Sequence, residues 1–301
     1  MSTVAKKIMM GSGAVDAYEI EQSVIFNRAS SAKLQRTPSS GGNRRTFTIS
    51  TWFKIGEPVV TNRYYYLFGV HLNSAANNDD TWFSLYMLNG AIGVGGWSTN
   101  YRLTNRVLRD HSAWYHIVLA IDTTLSTAAH RIRLYVNGVE ETSFATNNNP
   151  SQNFDFAVNR VSYPQTVGSV DYSSGNYWDG YFSEYHLIDG TQLTPSSFGE
   201  TNSATGQWIP KEYTGGSYGT NGFYQKYEKG AAADTPFLFE GDFTIEMFFK
   251  LTSMQVTGGK SYPVLLWLPP HNGATPDGAA GYKLQVNNAA SGYQMYMYSN
   301  E

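Results

Sequence analysis

The sequence predicts an all-β fold, a sandwich of two antiparallel sheets, from its composition and from its alternating strands. Of the 301 residues, 15% are aromatic and only 15% are charged, and 29 are glycine. This mixture is typical of half-buried strands joined by tight turns. Residues 131–136 (RIRLYV) alternate as one-sided burial requires, and Asn137 with Gly138 supplies the positive φ angles of a type I′ hairpin. Residues 139–144 are therefore expected to return beside residues 131–136.

Further strands are predicted from the same alternation and from short runs of β-branched and aromatic residues. They are expected at residues 23–26, 47–54, 64–71, 82–88, 91–97, 114–122 and 177–188. A second Asn-Gly pair, residues 89–90, joins the fourth and fifth of these strands in a hairpin. A long polar loop is expected at residues 147–174. Trp52, Trp82 and Trp114 lie within strands, so we expect them in the core.

The central hairpin resembles that of laminin G-like domains, which belong to the concanavalin A-like lectin and glucanase superfamily. Trp114, His116 and Asp122 match the usual Trp-x-His strand that ends in Asp, and residues 134–138 (LYVNG) match the turn. The resemblance implies the jelly roll of this family, a sandwich of two antiparallel sheets.

The closing strand of the family is matched by residues 180–187 (GYFSEYHL), which follow a Gly-x-Ile/Phe-x-Glu pattern. Thr194 and Pro195 are a good N-cap and first residue for the short helical turn that follows this strand in the family. The resemblance therefore spans about residues 20–200, the size expected for one complete jelly roll.

The predicted organisation has four parts. They are an N-terminal segment (residues 1–21), a laminin G-like jelly roll (residues 22–200), a linker rich in Gly, Ser, Thr and Asn (residues 201–222), and an incomplete second jelly roll (residues 223–301). The second copy is predicted from a repeat, because FTIEMFFK (residues 243–250) echoes FTISTWFK (residues 47–54). Equivalents of the central hairpin and closing strand are absent from it. Either the sequence is a fragment, which we favour, or strands from a partner complete the second copy. Residues 1–21 are either a disordered tail or a segment that docks on a partner.

The composition argues against several classes of function. A net charge of −3 gives no electrostatic drive toward nucleic acid. The absence of cysteine excludes disulfide scaffolds, cysteine zinc sites and thiol catalysis. No apolar run approaches the roughly 20 residues of a membrane span. The apolar residues after Lys6 and Lys7 end at Gly11, so no conventional secretion signal is expected.

Catalytic residues are not expected either. A retaining glycosidase needs two carboxyl groups about 5–5.5 Å apart. Glu240 and Glu246 are too far apart along one strand, and the adjacent Asp79 and Asp80 point to opposite faces. No Gly-x-Ser-x-Gly elbow is present. His116 is interpreted as a hydrogen-bonded histidine of a sheet, and we predict that the protein is not an enzyme.

Four aromatic residues are candidates for stacking on a sugar ring: Trp97, Tyr101, Tyr177 and Trp178. They lie at predicted strand ends, and the superfamily resemblance implies glycan binding at loops or on the concave face. The alternative is that these rings pack at the rim of the core.

A calcium site is a further candidate, because many laminin G-like domains hold calcium with loop carboxylates and carbonyls. Hard oxygen ligands are available at Asp171, Asn176 and Asp179, and again at residues 77–80. No loop motif of fixed spacing supports them, and the alternative is ordinary solvated loop residues.

A third resemblance concerns the whole protein. Residues 205–227 (TGQWIPKEYTGGSYGTNGFYQKY) resemble linkers between laminin G-like domains in large virion proteins of marine bacteriophages, and residues 5–14 (AKKIMMGSGA) are similar to the start of some of them. This implies a non-enzymatic virion structural protein, a tail or head fibre or a surface decoration. Its N-terminal segment would bind other virion proteins, its jelly rolls would bind a host surface glycan, and it would self-associate as a homo-oligomer.

The location implied is the virion, and release by cell lysis fits the expected lack of a secretion signal. The alternatives are a cellular carbohydrate-binding or adhesion protein and, less favoured, a glycan hydrolase.

Overall fold

The computed structural model describes residues 18–57, 59–170 and 176–227, together with the backbone of four strands between residues 238 and 300. In chain order the strands are β1 (Val24–Phe26), β2 (Lys33–Arg36), β3 (Thr46–Ile55), β4 (Tyr64–Val70), β5 (Phe83–Leu88), β6 (Ala91–Gly95), β7 (Asn100–Val107), β8 (Tyr115–Asp122), β9 (Ile132–Val136), β10 (Val139–Glu140), β11 (Phe144–Asn147), β12 (Gln165–Val167), β13 (Gly180–Asp189), β14 (Gly199–Thr201), β15 (Trp208–Pro210), β16 (Phe223–Gln225), β17 (Leu238–Glu240), β18 (Val264–Leu268), β19 (Gly281–Ala289) and β20 (Gly292–Asn300). Short 3-10 helices are formed by Arg28–Ser30, Ala128–His130 and Pro195–Ser197. The chain divides into two units, residues 1–246 and 247–301.

Two large antiparallel sheets form the first unit. The seven-stranded sheet has the order β1-β13-β3-β8-β9-β10, and β16 also pairs with β13. The eight-stranded sheet has the order β11-β7-β6-β5-β4-β12-β2-β17. Neighbouring strands come from distant parts of the chain, for example β3 beside β13, so each sheet depends on long-range pairing. The predicted all-β sandwich of two antiparallel sheets is confirmed.

The inner faces of the two sheets share one apolar core, centred on three phenylalanine rings. Phe47 of β3 packs edge to face on Phe83 of β5 with 5.7 Å between ring centroids, and Phe156 contacts both at 6.1 and 5.4 Å. All three side chains are completely buried. Edge-to-face pairs add about 0.5–1.5 kcal/mol each to the gain from burial. These rings therefore hold both sheets and the segment that carries Phe156 together.

The segment that carries Phe156 differs from the prediction, which placed a polar loop at residues 147–174. Residues 156–158 are completely buried, and residues 165–167 form β12, which pairs with β2 and β4. Its carbonyl groups are bound by an arginine of the chain before β3. The Arg44 guanidinium donates to the carbonyl oxygens of Phe156 at 2.6 Å, Asp80 at 2.9 Å and Asp155 at 3.1 Å.

Both predicted Asn-Gly turns are confirmed, since all four residues have positive φ angles: 53° and 81° at residues 89–90, and 48° and 80° at residues 137–138. The strand after the second turn differs from the expected return through residue 144. β10 has only two residues, and the buried Glu141 then forms an ion pair with Arg106 of β7. The chain crosses there to β11, which pairs with β7 in the other sheet.

Residues 191–227, which we call the strap, cover the outer face of the seven-stranded sheet. The prediction placed a linker at residues 201–222, but here β14 and β15 form a hairpin and β16 adds to the sheet. Phe198 is buried against Val118, Ala120 and other residues of the outer face. The glycine-rich composition that suggested a linker permits close packing instead, because a Cβ on Gly222 would lie 2.6 Å from the Leu187 carbonyl oxygen.

The strap is fixed at one point by His116, the sheet histidine of β8. The Trp208 indole N–H donates to His116 Nδ1 at 3.0 Å, so the imidazole is neutral and its Nε2–H donates to Ser50 Oγ at 2.9 Å. Trp52 stacks on the other side with 4.9 Å between ring centroids. Burial, followed by the nearby His186, lowers the pKa of His116 to about 3. The predicted hydrogen-bonded sheet histidine is confirmed.

A buried carboxylate, Glu184, fixes the strap at a second point. The register of β13 against β3 shifts between residues 183 and 186, and Glu184 has a φ angle of 50° in this bulge. Its carboxylate accepts from the Tyr224 hydroxyl at 2.7 Å and from the Tyr18 hydroxyl at 2.8 Å. Tyr224 also stacks on His186 with 4.3 Å between ring centroids.

The second unit contains a three-stranded antiparallel sheet of β18, β19 and β20. By register, Leu284 pairs with Met297 and Val286 pairs with Met295. Residues 243–250, which carry the repeat, lie outside the described residues, as do residues 1–17 of the predicted N-terminal segment.

The His116 contacts predict that folding stability falls in acid. The His116 imidazole has an ordinary pKa near 6.5 in the unfolded chain and a pKa of about 3 in the folded one. Between pH 3 and pH 6.5 the unfolded chain therefore binds a proton at this histidine and the folded chain does not. The stabilisation that His116 gives the folded protein is therefore complete above pH 6.5. As the pH falls toward 3, the free energy of unfolding decreases by up to about 1.4 kcal/mol per pH unit. Urea unfolding of wild type and His116→Gln, measured from pH 7.5 to 4.5, should show the wild type more stable at pH 7.5 and the difference narrowing in acid. Parallel curves would contradict the assignment.

Candidate functional site

The predicted aromatic site residues lie at opposite ends of the sandwich. Trp97 follows β6, whose Gly95 pairs with Ser84 at the start of β5. Tyr177 and Trp178 precede β13, whose Gly180 pairs with Ile55 at the end of β3. The loop after β3 leads into the start of β4, which pairs with the end of β5. The structure therefore does not bring the two predicted pairs together in one site.

Two of the four rings are core residues, which corrects their assignment as sugar-stacking side chains. Trp178 is completely buried and packs on Phe53 and Phe182, with 5.3 and 5.1 Å between ring centroids. Tyr101 is 3% exposed and packs edge to face on Phe156. Neither ring offers a face for a ligand. Tyr177 is half-buried beside Trp178.

Trp97 remains at the surface, where 39% of it is exposed. Its ring meets Trp82 at 5.4 Å between centroids, and Trp82, which is buried as expected, meets His71 at 4.8 Å. The exposed indole is therefore supported from behind by an aromatic layer. A tryptophan held in this way offers a rigid apolar surface for stacking.

Asp79 fixes the backbone of the loop that carries Trp97. Its Oδ1 accepts from the Ser98 N–H at 2.7 Å, the Ser98 hydroxyl at 3.1 Å and the Thr99 N–H at 3.3 Å. A Cβ on Gly96 would lie 2.6 Å from the same oxygen, so glycine permits this close approach. Burial raises the pKa of Asp79, but the hydrogen bonds from residues 98 and 99 outweigh burial and hold the pKa below its ordinary value.

Charged groups border this loop next to Asp79. Arg160 donates to the Asp80 carboxylate at 3.3 Å and to the Asp80 carbonyl at 3.0 Å, and its guanidinium lies 4.2 Å from the centroid of Tyr163. Asp79 and Asp80 thus have separate structural partners. We call Trp97, Asp80 and Arg160 the Trp97 rim: one exposed ring, with a carboxylate and a guanidinium as hydrogen-bonding groups.

Of the predicted calcium ligands, Asp179 and Asn176 lie within the described residues. Asp179 accepts the Arg28 backbone N–H at 3.1 Å, and burial raises the pKa of its carboxyl. Asn176 is half-buried near it in the chain, and Asp171 lies outside the described residues. In the part of the chain that the structure describes, no group of three or more His, Cys, Asp or Glu side chains could hold a metal ion. The same part contains no helix with the length and hydropathy to span a membrane.

Sequence reasoning missed two features of the surface. Trp114, expected in the core, is 37% exposed, because it precedes the first paired residue of β8 and points to the outer face. Glu184 and His186 have Glu-x-His spacing and lie under the strap, where the bulge of β13 at Glu184 brings both side chains against Tyr224. The spacing was visible, but the covering by residues 213–224 was not.

The comparisons with known proteins identify the fold family. Residues 27–197 match a laminin G family model described as Concanavalin A-like lectin/glucanases superfamily. Among curated proteins, none matches this chain.

Several solved structures are similar in fold. The native heptameric SAP-like pentraxin from Limulus polyphemus has 15% identity, a TM-score of 0.41, and coverage of 59% of this chain and 80% of its own. Domain 4 of AbnA, an extracellular arabinanase from Geobacillus stearothermophilus, solved with arabinotriose, has 19% identity, a TM-score of 0.40, and coverage of 61% and 79%. Mouse laminin α1 domains LG4-5 have 12% identity, a TM-score of 0.40, and coverage of 97% and 73%.

Removing the Asp79 carboxylate should destabilise the protein. Asp79→Ala leaves the Ser98 and Thr99 N–H groups without their acceptor, at a cost of about 1–3 kcal/mol. Asp110→Ala is the matched control, because Asp110 also accepts from a following serine but lies on an exposed loop. Urea unfolding at pH 7 should show the larger loss for Asp79→Ala. Equal losses would show that the Trp97 loop is not held by this carboxylate.

Proposed function

The chain belongs to the Concanavalin A-like lectin/glucanases superfamily through residues 27–197, and from this premise we propose that it binds carbohydrate at the Trp97 rim. The observation that carries the proposal is the exposed Trp97 indole, backed by Trp82 and held on a loop fixed by Asp79. A rigid apolar ring whose loop is bound by Asp79, with the charged groups of Asp80 and Arg160 next in line, suits a sugar, which presents an apolar C–H face and polar hydroxyl edges. Arg160 and Asp80 offer a donor and an acceptor to those hydroxyl groups.

Hydrolysis of a glycan is the less favoured reading. Asp79 accepts hydrogen bonds from its own loop, and Asp80 pairs with Arg160, so these neighbouring carboxylates have structural roles. Glu184 is 5% exposed beneath the strap, where its carboxylate is bound by two tyrosine hydroxyls. Because all three carboxylates already bind groups of the protein itself, binding without catalysis is the proposed activity.

We further propose that the protein is a bacteriophage virion structural protein, a fibre or a surface decoration that presents this jelly roll to a host surface glycan. Support comes from the resemblance of residues 205–227 and 5–14 to segments of marine phage virion proteins. The N-terminal segment would attach to other virion proteins, and the protein would act as a homo-oligomer in the particle. The alternative, a cellular carbohydrate-binding or adhesion protein, would use the same rim in a different location.

Substitution of Trp97 tests the glycan site. Trp97→Ala should weaken glycan binding by at least tenfold, about 1.4 kcal/mol, whereas Trp97→Phe should retain a stacking surface and bind more tightly than Trp97→Ala. Val139→Ala is the control, because Val139 is 59% exposed at the sheet edge, and its removal should leave binding unchanged. The measurement is a glycan array followed by titration calorimetry on the best ligand. Equal binding by wild type and Trp97→Ala would contradict the proposal that the Trp97 rim binds glycan.

The location is tested separately by mass spectrometry. Peptides of this chain should be present in purified particles of the phage that encodes it, at a copy number that reports the symmetry of its attachment. Recovery of the chain only from cell membranes or culture fluid free of particles would favour the cellular adhesion protein.

A further inference from the structure

A row of surface residues crosses the outer face of the seven-stranded sheet beside the strap. Tyr181 of β13 pairs with Ile25 of β1 on one side and with Lys54 of β3 on the other. The register of β3 against β8 pairs Phe53 with Tyr115, which places Lys54 opposite Trp114. Adjacent strands are about 4.8 Å apart, so the row spans the width of four strands.

The aromatic members of this row form one surface around the lysine. The Trp114 and Tyr181 rings meet edge to face with 6.3 Å between centroids, and Lys54 Nζ lies 5.8 Å from the centroid of Tyr181. Trp114 is 37% exposed, and Lys54 and Tyr181 are half-buried. The strap covers the next positions on the same face, where Trp208 binds His116. We call Trp114, Lys54 and Tyr181 the Trp114 platform.

The carboxylates of the neighbouring loops have other partners. Glu57 forms ion pairs with Arg28 at 2.7 Å and with Arg63 at 3.8 Å. Asp179 accepts the Arg28 backbone N–H. Within the described residues, no carboxylate lies within salt-bridge distance of Lys54. Among the described residues no acid therefore neutralises the Lys54 ammonium, which lies over the Tyr181 ring, and Tyr181 in turn contacts Trp114.

We propose that the Trp114 platform is a second carbohydrate site, specific for glycans that carry an acidic group. A sugar ring stacks on Trp114, and its carboxylate or sulfate group pairs with Lys54, whose position is set by the cation–π contact with Tyr181. The inference rests on the proposed carbohydrate binding but not on the Trp97 rim, which belongs to a loop at the end of the sandwich remote from β1 and the start of β13. With one site at the Trp97 rim and another at the Trp114 platform, a single domain could bind two sugars of the same surface polysaccharide.

The test is an array of oligosaccharides that bear uronate, sialate or sulfate groups, each beside its neutral counterpart, followed by titration of the best acidic ligand. Wild type should bind acidic members more tightly than the neutral ones, and added salt should weaken this preference. Trp114→Ala should weaken acidic binding by at least tenfold, and Lys54→Gln should remove the preference for the acid. Lys54→Arg and Trp114→Phe should retain most of the binding, and thermal unfolding would show that all four variants are folded.

Trp97→Ala separates this inference from the proposed rim. If Trp97→Ala alone loses binding and the platform variants bind like wild type, the rim stands and the platform is overturned. If the platform variants alone lose acidic binding, the platform stands and the rim is overturned. The absence of any preference for acidic glycans in the wild type would also overturn the platform.

Discussion

The contact of three phenylalanine rings in the core is the interaction on which the rest of the first unit depends. Phe47 and Phe83 come from opposite sheets, and Phe156 comes from the long segment between β11 and β12. Burying Phe156 places its carbonyl group beside Arg44, and Arg44 in turn binds the carbonyl group of Asp80. The loop that contains residues 79 and 80 then holds the backbone under Trp97. The exposed ring of the rim is thus positioned by packing that begins in the centre of the sandwich.

The fold could be predicted from the sequence because its main signals are local. Alternation over five or six residues fixes which side of a strand is buried, and an Asn-Gly pair fixes where the chain reverses. His116 was also correctly interpreted, since a histidine inside an apolar strand has few alternatives to a buried hydrogen bond. These features depend on the nearest residues and on little else.

The surface could not be predicted in the same way, because exposure at a strand end depends on distant segments. Trp97 and Trp178 both lie beside a strand, yet one is exposed and the other completely buried. Trp178 packs between Phe53 and Phe182, and no periodicity shows that arrangement. The strap was missed for a related reason. Its glycines suggest flexibility, whereas Gly222 here allows the backbone to lie close to the Leu187 carbonyl group.

The position of Glu184 has a topological consequence. β1 pairs with residues 180–182 of β13, and β16 pairs with residues 185–187 along the same edge, so the two short strands lie end to end. Glu184 stands at their junction and binds Tyr18 and Tyr224, which belong to the incoming and the outgoing chain. The points where the chain enters and leaves the jelly roll therefore lie next to each other on one edge of β13. The jelly roll can therefore be inserted in a longer polypeptide with its entry and exit side by side, and Glu184 joins the two through Tyr18 and Tyr224.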